Sequence, residues 1–99
     1  MKVISLKEFR DEALSREFSR RLRNAMAARN MSQAGLALKA NIYRMSISHY
    51  CSGEVMPRSD TLLALATALS VSPNWLLGVE GDANDPPLKI GNYLPPSQN

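Results

Sequence analysis

The stretch MSQAGLALKANIYRMSISHYCSG, residues 31–53, divides into two short amphipathic segments around one turn. Ser32 is a helix N-cap residue, able to accept from the unpaired amides of the segment that follows. Leu36, Ala37 and Ala40 recur at helical spacing, so a helix is expected from Gln33 to Ala40 with these three facing inward. Asn41 tolerates the left-handed backbone that a tight turn needs. A second short helix is expected from about Tyr43 to Cys51. It would carry Ile47, Tyr50 and Cys51 on one side and Arg44, Met45, Ser48 and His49 on the other, with Ser52-Gly53 ending it. The small residues Ala34, Gly35 and Ala37 suit a close crossing of the two helices.

On the N-terminal side, Ser5-Leu6-Lys7-Glu8 has the form of a capping box, with Ile4 and Phe9 placed as a hydrophobic staple. A helix should therefore begin near Leu6. Its apolar spacing continues through Phe9, Ala13, Leu14, Phe18, Leu22, Ala25, Met26 and Arg29, and Asn30 is a plausible stop. The segment is either one long helix or two, and Ser15, a second possible cap, favours a break. On the C-terminal side, Ser59 is expected to cap a fourth helix, with Asp60 in its first turn and Leu62, Leu65, Ala66 and Leu69 as its stripe. Ser72-Pro73 opens a fifth, with proline where its missing N–H costs nothing. Trp75, Leu76 and Leu77 pack that helix and Gly78 stops it. Residues 80–87 read as linker, and Leu88-Lys89-Ile90 as a short strand.

The chain has 99 residues, enough for one core but not for a second lobe around a deep cleft. An apolar share of 44% suits a folded globule, and six aromatics leave the core mostly to aliphatic residues that favour helices. A single cysteine, Cys51, excludes an internal disulfide and any multi-cysteine metal site. The N-terminus is not a signal peptide, because Lys7 and Glu8 interrupt any apolar run. No segment is apolar enough to span a bilayer. The expected location is the cytoplasm.

Charge is distributed unevenly. Residues 1–31 carry +4, residues 32–58 carry +2 and residues 59–99 carry −3. A basic first half suits a polyanionic partner. No catalytic grouping, phosphate-cradling glycine loop or metal-ligand set is present, so neither an enzyme nor a cofactor is expected. Ser48, His49 and Cys51 lie close in sequence, but no acid at suitable spacing orients His49.

Two short helices joined by about three residues form a helix-turn-helix. A helix fits the major groove of DNA, where each base pair shows a distinct pattern of donors and acceptors. From about Phe18 to Gly78 the chain resembles the lambda repressor and Cro superfamily, also called the XRE family. The resemblance rests on Met31-Ser32-Gln33-Ala34, Leu36-Ala37, Ile47-Ser48, Ser52-Gly53 and Pro57-Arg58-Ser59. The Leu62…Leu65-Ala66…Leu69 stripe continues it, and Val71-Ser72-Pro73-Asn74-Trp75-Leu76-Leu77-Gly78 closes it. It implies an all-α, lambda repressor-like domain of five helices. It also implies a DNA-binding site at Gln33, Tyr43, Arg44, Met45, Ser46, Ser48, His49, Ser52 and Arg58. Gln33 would bond a phosphate or support a base contact. Arg44 and Met45 would open the recognition helix, with Ser48 and His49 one turn later. Tyr43 and Ser46 would flank the backbone, and Ser52 and Arg58 would lie in the loop along the strand. Two departures matter. The family's usual arginine in the first helix falls at Met26, and its usual glutamate late in the third falls at Cys51. Those two commonly form a partly buried ion pair. Replacing both halves by apolar groups of fitting size keeps the site viable, so Met26 and Cys51 are expected to touch. Gly35 stands where many relatives carry glutamate, which removes a capping-box partner for Ser32.

The expected organisation is an N-terminal helical extension at 1–14, a DNA-binding domain at 15–79 and an irregular tail at 80–99. The expected function is a transcriptional regulator, a repressor of prophage type. It would bind double-stranded DNA as a homodimer on a pseudo-palindromic operator. The alternative is an antitoxin-like module that binds a protein partner through the tail, at Leu88, Ile90, Tyr93 and Leu94, as well as its own operator. A third reading makes the tail a linker to further chain. In the extension, Lys2, Lys7 and Arg10 suit an arm along DNA. Leu6, Phe9 and Leu14 suit packing on the domain or on a dimer mate, which an ordered helix favours.

Overall fold

A computed structural model describes residues 6–86, with the side chains of residues 7–9 outside the description. The capping box and staple, the 88–90 strand and the tail residues Leu88, Ile90, Tyr93 and Leu94 lie outside the described residues. Five helices and no strand occur within them: α1 (Leu6–Ala28), α2 (Gln33–Ala40), α3 (Arg44–Ser52), α4 (Ser59–Leu69) and α5 (Pro73–Leu77).

The break expected near Ser15 does not occur, and α1 runs unbroken for 23 residues, about 34 Å at the usual rise. No glycine or proline interrupts it. Ser15 is buried against the turn that follows α3, where its carbonyl lies near Gly53, so it serves packing and not capping. Leu6 and Leu14 remain exposed on the chain. Further along, Phe18, Leu22, Ala25 and Met26 turn one stripe of α1 into the core. Leu36 and Ala37 of α2, Ile47 and Cys51 of α3, Leu62, Leu65, Ala66 and Leu69 of α4, and Trp75 and Leu76 of α5 close around it. Of the small residues expected between α2 and α3, only Ala37 is buried.

All five helices end in the same way. Asn30, Asn41, Gly53, Ser70 and Gly78 each adopt the left-handed conformation. In each case the following amide reaches back five residues to a carbonyl: Met31 to Met26, Ile42 to Ala37, Glu54 to His49, Val71 to Ala66 and Val79 to Asn74. Met31, Ile42 and Val71 then pack against the core, which fixes the direction in which the chain leaves. At the N-termini, Ser32 accepts from the Gly35 amide at 3.0 Å and Ser72 from the Asn74 amide at 3.1 Å. The expectation that Ser59 caps α4 is corrected. Arg58 holds the cap position with no side-chain bond, Ser59 is already helical, and Asp60 accepts from the Thr61 amide at 2.8 Å.

The first four residues of the stretch expected to be a linker, 80–83, are bonded to α1 and α5. Arg21, buried in α1, donates through Nη1 to the carbonyls of Trp75 (2.7 Å) and Glu80 (2.9 Å), and through Nη2 to that of Gly81 (2.6 Å). Its Cζ lies over the Trp75 ring, 5.3 Å from the centroid, and Glu17 accepts from its Nε at 2.7 Å. The indole N–H donates to the Asp82 carbonyl at 3.1 Å, and Asn24 donates to that of Ala83 at 2.5 Å. Gly81 has φ +80°, and a Cβ there would stand 2.6 Å from the Trp75 ring, so only glycine fits.

Met26 Sδ and the Cys51 thiol lie 3.7 Å apart in the core, as the paired replacement implied. Burial pushes the Cys51 thiol up from its ordinary pKa, and Arg23 only partly opposes this, so the thiol is a packing group and a poor nucleophile. Met26→Arg should cost about 3 kcal/mol in urea unfolding, since it buries a charge with no partner. Cys51→Glu alone should cost less, because Arg23 stands beside it. The double variant should recover most of the loss. Additive losses in the two singles would show that the positions do not form a pair.

Candidate nucleic-acid interface

The turn between α2 and α3 is three residues, Asn41 to Tyr43, and its backbone bonds fix how the two helices cross. α3 is pinned from behind at two levels. Ile47 is fully buried and Cys51 nearly so. At the far end the Cys51 carbonyl accepts from Ser19 Oγ at 2.5 Å and from Arg23 Nη1 at 2.6 Å. Phe18 meets Tyr50 edge to face, with ring centroids 6.4 Å apart. α3 therefore cannot roll, and its opposite face is presented in one orientation.

That face carries Arg44, Met45, Ser48 and His49, all exposed, with Ser52 at its end. Tyr43, the N-cap residue of α3, is 87% exposed although aromatic, and Met45 is 73% exposed although apolar. Neither is core, and both stand where the helix begins. Gln33 opens α2, half-buried, beside the Ser32 cap. Ser46 and Arg58 join Tyr43 along a cleft of about 540 Å³, so three of the expected residues line one depression. The expected nine thus fall into two groups. One is the exposed α3 stripe. The other is a rim made by the start of α2, the start of α3 and the loop before α4.

The expectation that no acid orients His49 is corrected by Glu54. Gly53 turns the chain at φ +83° and brings Glu54 back over the last turn of α3. There Glu54 Oε2 lies 2.8 Å from His49 Nδ1. A carboxylate only accepts, so Nδ1 carries the proton. Nε2 then points away as an acceptor when the ring is neutral and a donor when it is charged. The bond from His49 is the main cause holding the Glu54 carboxyl below its ordinary pKa, with Ser52 and the His49 charge adding to it. Asp60 is lowered in the same direction, first by the Thr61 amide and secondarily by Arg58, whose Nη2 is 3.1 Å away. Two acids thus stand at the margin of this face, Glu54 bonded to the His49 ring and Asp60 to the Arg58 guanidinium.

Sequence reasoning missed Glu54, and it missed Arg23, which helps to position α3. An adjacent turn residue five positions beyond His49 was the available signal for Glu54. For Arg23, a donor exposed on α1 but bonded to the end of α3, there was none. Arg29, which fell on the apolar spacing of α1, donates to the Leu69 carbonyl at 2.9 Å and to that of Ser70 at 3.2 Å. A cation on an inward position was a legible sign of a buried acceptor.

No helix among the described residues is long and apolar enough to cross a membrane. The helix-turn-helix family matches residues 20–76. Among curated proteins, the chain is 41% identical over 64 residues to the HTH-type transcriptional regulator PrtR of Pseudomonas aeruginosa, covering 65% of this chain and 25% of that one. It is 35% identical over 74 residues to the HTH-type transcriptional regulators for conjugative element R391 of Providencia rettgeri and for conjugative element SXT of Vibrio cholerae, covering 75% of this chain and 33% of each. The chain spans about a quarter to a third of the length of these relatives. No solved structure matches it.

The Glu54 contact has a direct test. A depressed folded-state pKa contributes stability above the unfolded value of 4.5 and loses it as pH falls through the lowered folded value. In His49→Ala the Glu54 midpoint should move up toward 4.5, read from its side-chain carboxyl resonance during an acid titration. An unmoved midpoint would show that the pair does not form in solution.

Proposed function

The chain belongs to the helix-turn-helix family, matched over residues 20–76, and we propose on that premise that it is a sequence-specific DNA-binding transcriptional regulator reading the major groove with α3. The observation that carries this reading is the contrast between the two faces of α3. One is locked by buried Ile47 and Cys51, and the other exposes Arg44, Met45, Ser48 and His49 together. A rigid helix with long polar groups on one face is what readout of base edges requires.

Arg44 is the principal base reader, with bidentate contact to guanine its best geometry. Met45 packs on thymine methyls, and Ser48 and His49 read the next base pairs. His49 presents Nε2, because Glu54 occupies Nδ1. Gln33, Tyr43, Ser46, Ser52 and Arg58 hold the backbone and set the register of α3. α3 is nine residues long and reads only a few base pairs. Specificity then needs a homodimer that places two such helices about 34 Å apart on a pseudo-palindrome. Regulation follows by occlusion of a promoter, in the cytoplasm. Two of the relatives regulate conjugative elements by name, and a repressor of a mobile element is the reading that fits them.

Selection of bound duplexes from a random pool tests this reading, with Arg44→Ala in parallel. A palindromic consensus is expected, and the variant should lose preference at one symmetric position, a discrimination of about 1–3 kcal/mol. A folded protein that enriches no sequence at low salt would overturn the assignment.

A further inference from the structure

Between α1 and the end of α3 lies a second basic feature that the reading above does not use. Arg16, Arg20 and Arg23 recur at helical spacing along one exposed stripe of α1. With Ser52 and Gly53 they line a cleft of about 360 Å³, with Ser19 beneath.

The stripe is poorly neutralised. Arg16 stands 3.9 Å from Glu12 and Arg20 3.7 Å from Glu17, both beyond hydrogen-bond length. Glu17 commits its other oxygen to Arg21 at 2.7 Å. Arg23 spends Nη1 on Ser19 Oγ and the Cys51 carbonyl, which fixes its guanidinium at the cleft. Like charges one helical turn apart repel, so the stripe costs stability unless an anion lies across it. The carbonyl end of α3 would ordinarily repel an anion. Here it is covered, since the Cys51 carbonyl is doubly bonded and that of His49 accepts from Ser52 Oγ at 2.8 Å.

The position of the cleft identifies the anion. Arg44, Ser48 and Ser52 succeed one another at four-residue spacing along α3, so the proposed reading face runs directly into the cleft. A helix lying in the major groove leaves it at the sugar–phosphate backbone. We infer that the cleft of Arg16, Arg20 and Arg23 binds a phosphodiester group of the DNA backbone at the edge of the operator, and so extends the interface onto α1. The inference rests on the regulator reading. The cleft supplies affinity without sequence information, because a phosphate is the same at every step.

The test is the double variant Arg16→Gln/Arg20→Gln, which spares the α3 anchor Arg23. Its binding to the selected operator and to a scrambled duplex is followed by fluorescence anisotropy across a salt series, with thermal melting as the folding control. Affinity for both duplexes should fall about tenfold or more, and the slope of log K against log salt should become shallower by about 1 per arginine. Base preference should stay as it is, and melting should be no lower than in the wild type. In the wild type, the arginine Nε–Hε resonances of the stripe should shift on adding duplex. An unchanged slope with the wild type still selective overturns the phosphate site and leaves the regulator reading intact. A wild type that binds no duplex overturns both. Resonances that shift with inorganic phosphate but not with duplex would assign the cleft to the free ion and overturn the DNA contact.

Discussion

The carbonyl of Cys51 is the point on which the functional geometry turns. A nine-residue helix is too short to persist alone, and propensity contributes little to holding it. α3 is placed by what it packs on and by what grips its end. The grip comes from Ser19 and Arg23, both on α1 and both donating to that one acceptor. A helix C-terminus with unpaired carbonyls would fray. This one is tied to the longest helix in the described structure, so the face bearing Arg44 and Ser48 inherits the rigidity of α1.

The same device recurs at the ends of α4 and α5. Arg29 reaches the last carbonyls of α4, and Arg21 reaches carbonyls at the end of α5 and beyond it. In each case a guanidinium from α1 meets the negative end of a helix dipole, a favourable pairing reinforced by direct bonds. Arginine suits this work because its fork carries several donors and cannot lose its charge. α1 is thus a spine whose basic character is partly structural. The charge asymmetry that pointed to a polyanion therefore mixes two populations. Arg21, Arg23 and Arg29 are engaged by backbone, whereas Arg16, Arg20, Arg44 and Arg58 carry their charge outward.

That mixture explains what the sequence disclosed and what it withheld. Local chemistry was legible. Ser32 and Ser72 cap, Pro73 opens a helix, Asn41 and Gly78 take left-handed conformations, and the apolar stripes name the core. The Met26–Cys51 contact was also legible, because it follows from the absence of both halves of a pair. Where local signals competed, tertiary packing decided. Ser15 has cap chemistry but is covered by the Gly53 turn, and Ser59 yields the cap to Arg58 because Asp60 satisfies the first-turn amide. The fate of residues 80–86 was not legible at all. Glycine, aspartate and proline read as linker, yet the carbonyls of Glu80, Gly81, Asp82 and Ala83 are the acceptors that Arg21, Trp75 and Asn24 need. Side-chain bonds spanning 28 to 60 residues leave no mark in local periodicity.

The uncharged join between α1 and α3 has a mechanical consequence. α1 and α3 are joined by two sulfur atoms in contact and by bonds to a neutral carbonyl. Neither the thioether contact nor a backbone acceptor titrates in the range where proteins work. A charged side-chain pair would depend on both partners staying ionised, and a dry pair also bears the cost of stripping water from two charges. The anchoring of α3 is therefore insulated from pH. The outer face is not, since His49 and Glu54 meet in solvent and their contact changes with protonation. Stability and recognition are in this way assigned to different chemistry on opposite sides of one helix. The buried side fixes where the exposed side chains of α3 stand, and the exposed side alone answers to the charge of whatever approaches it.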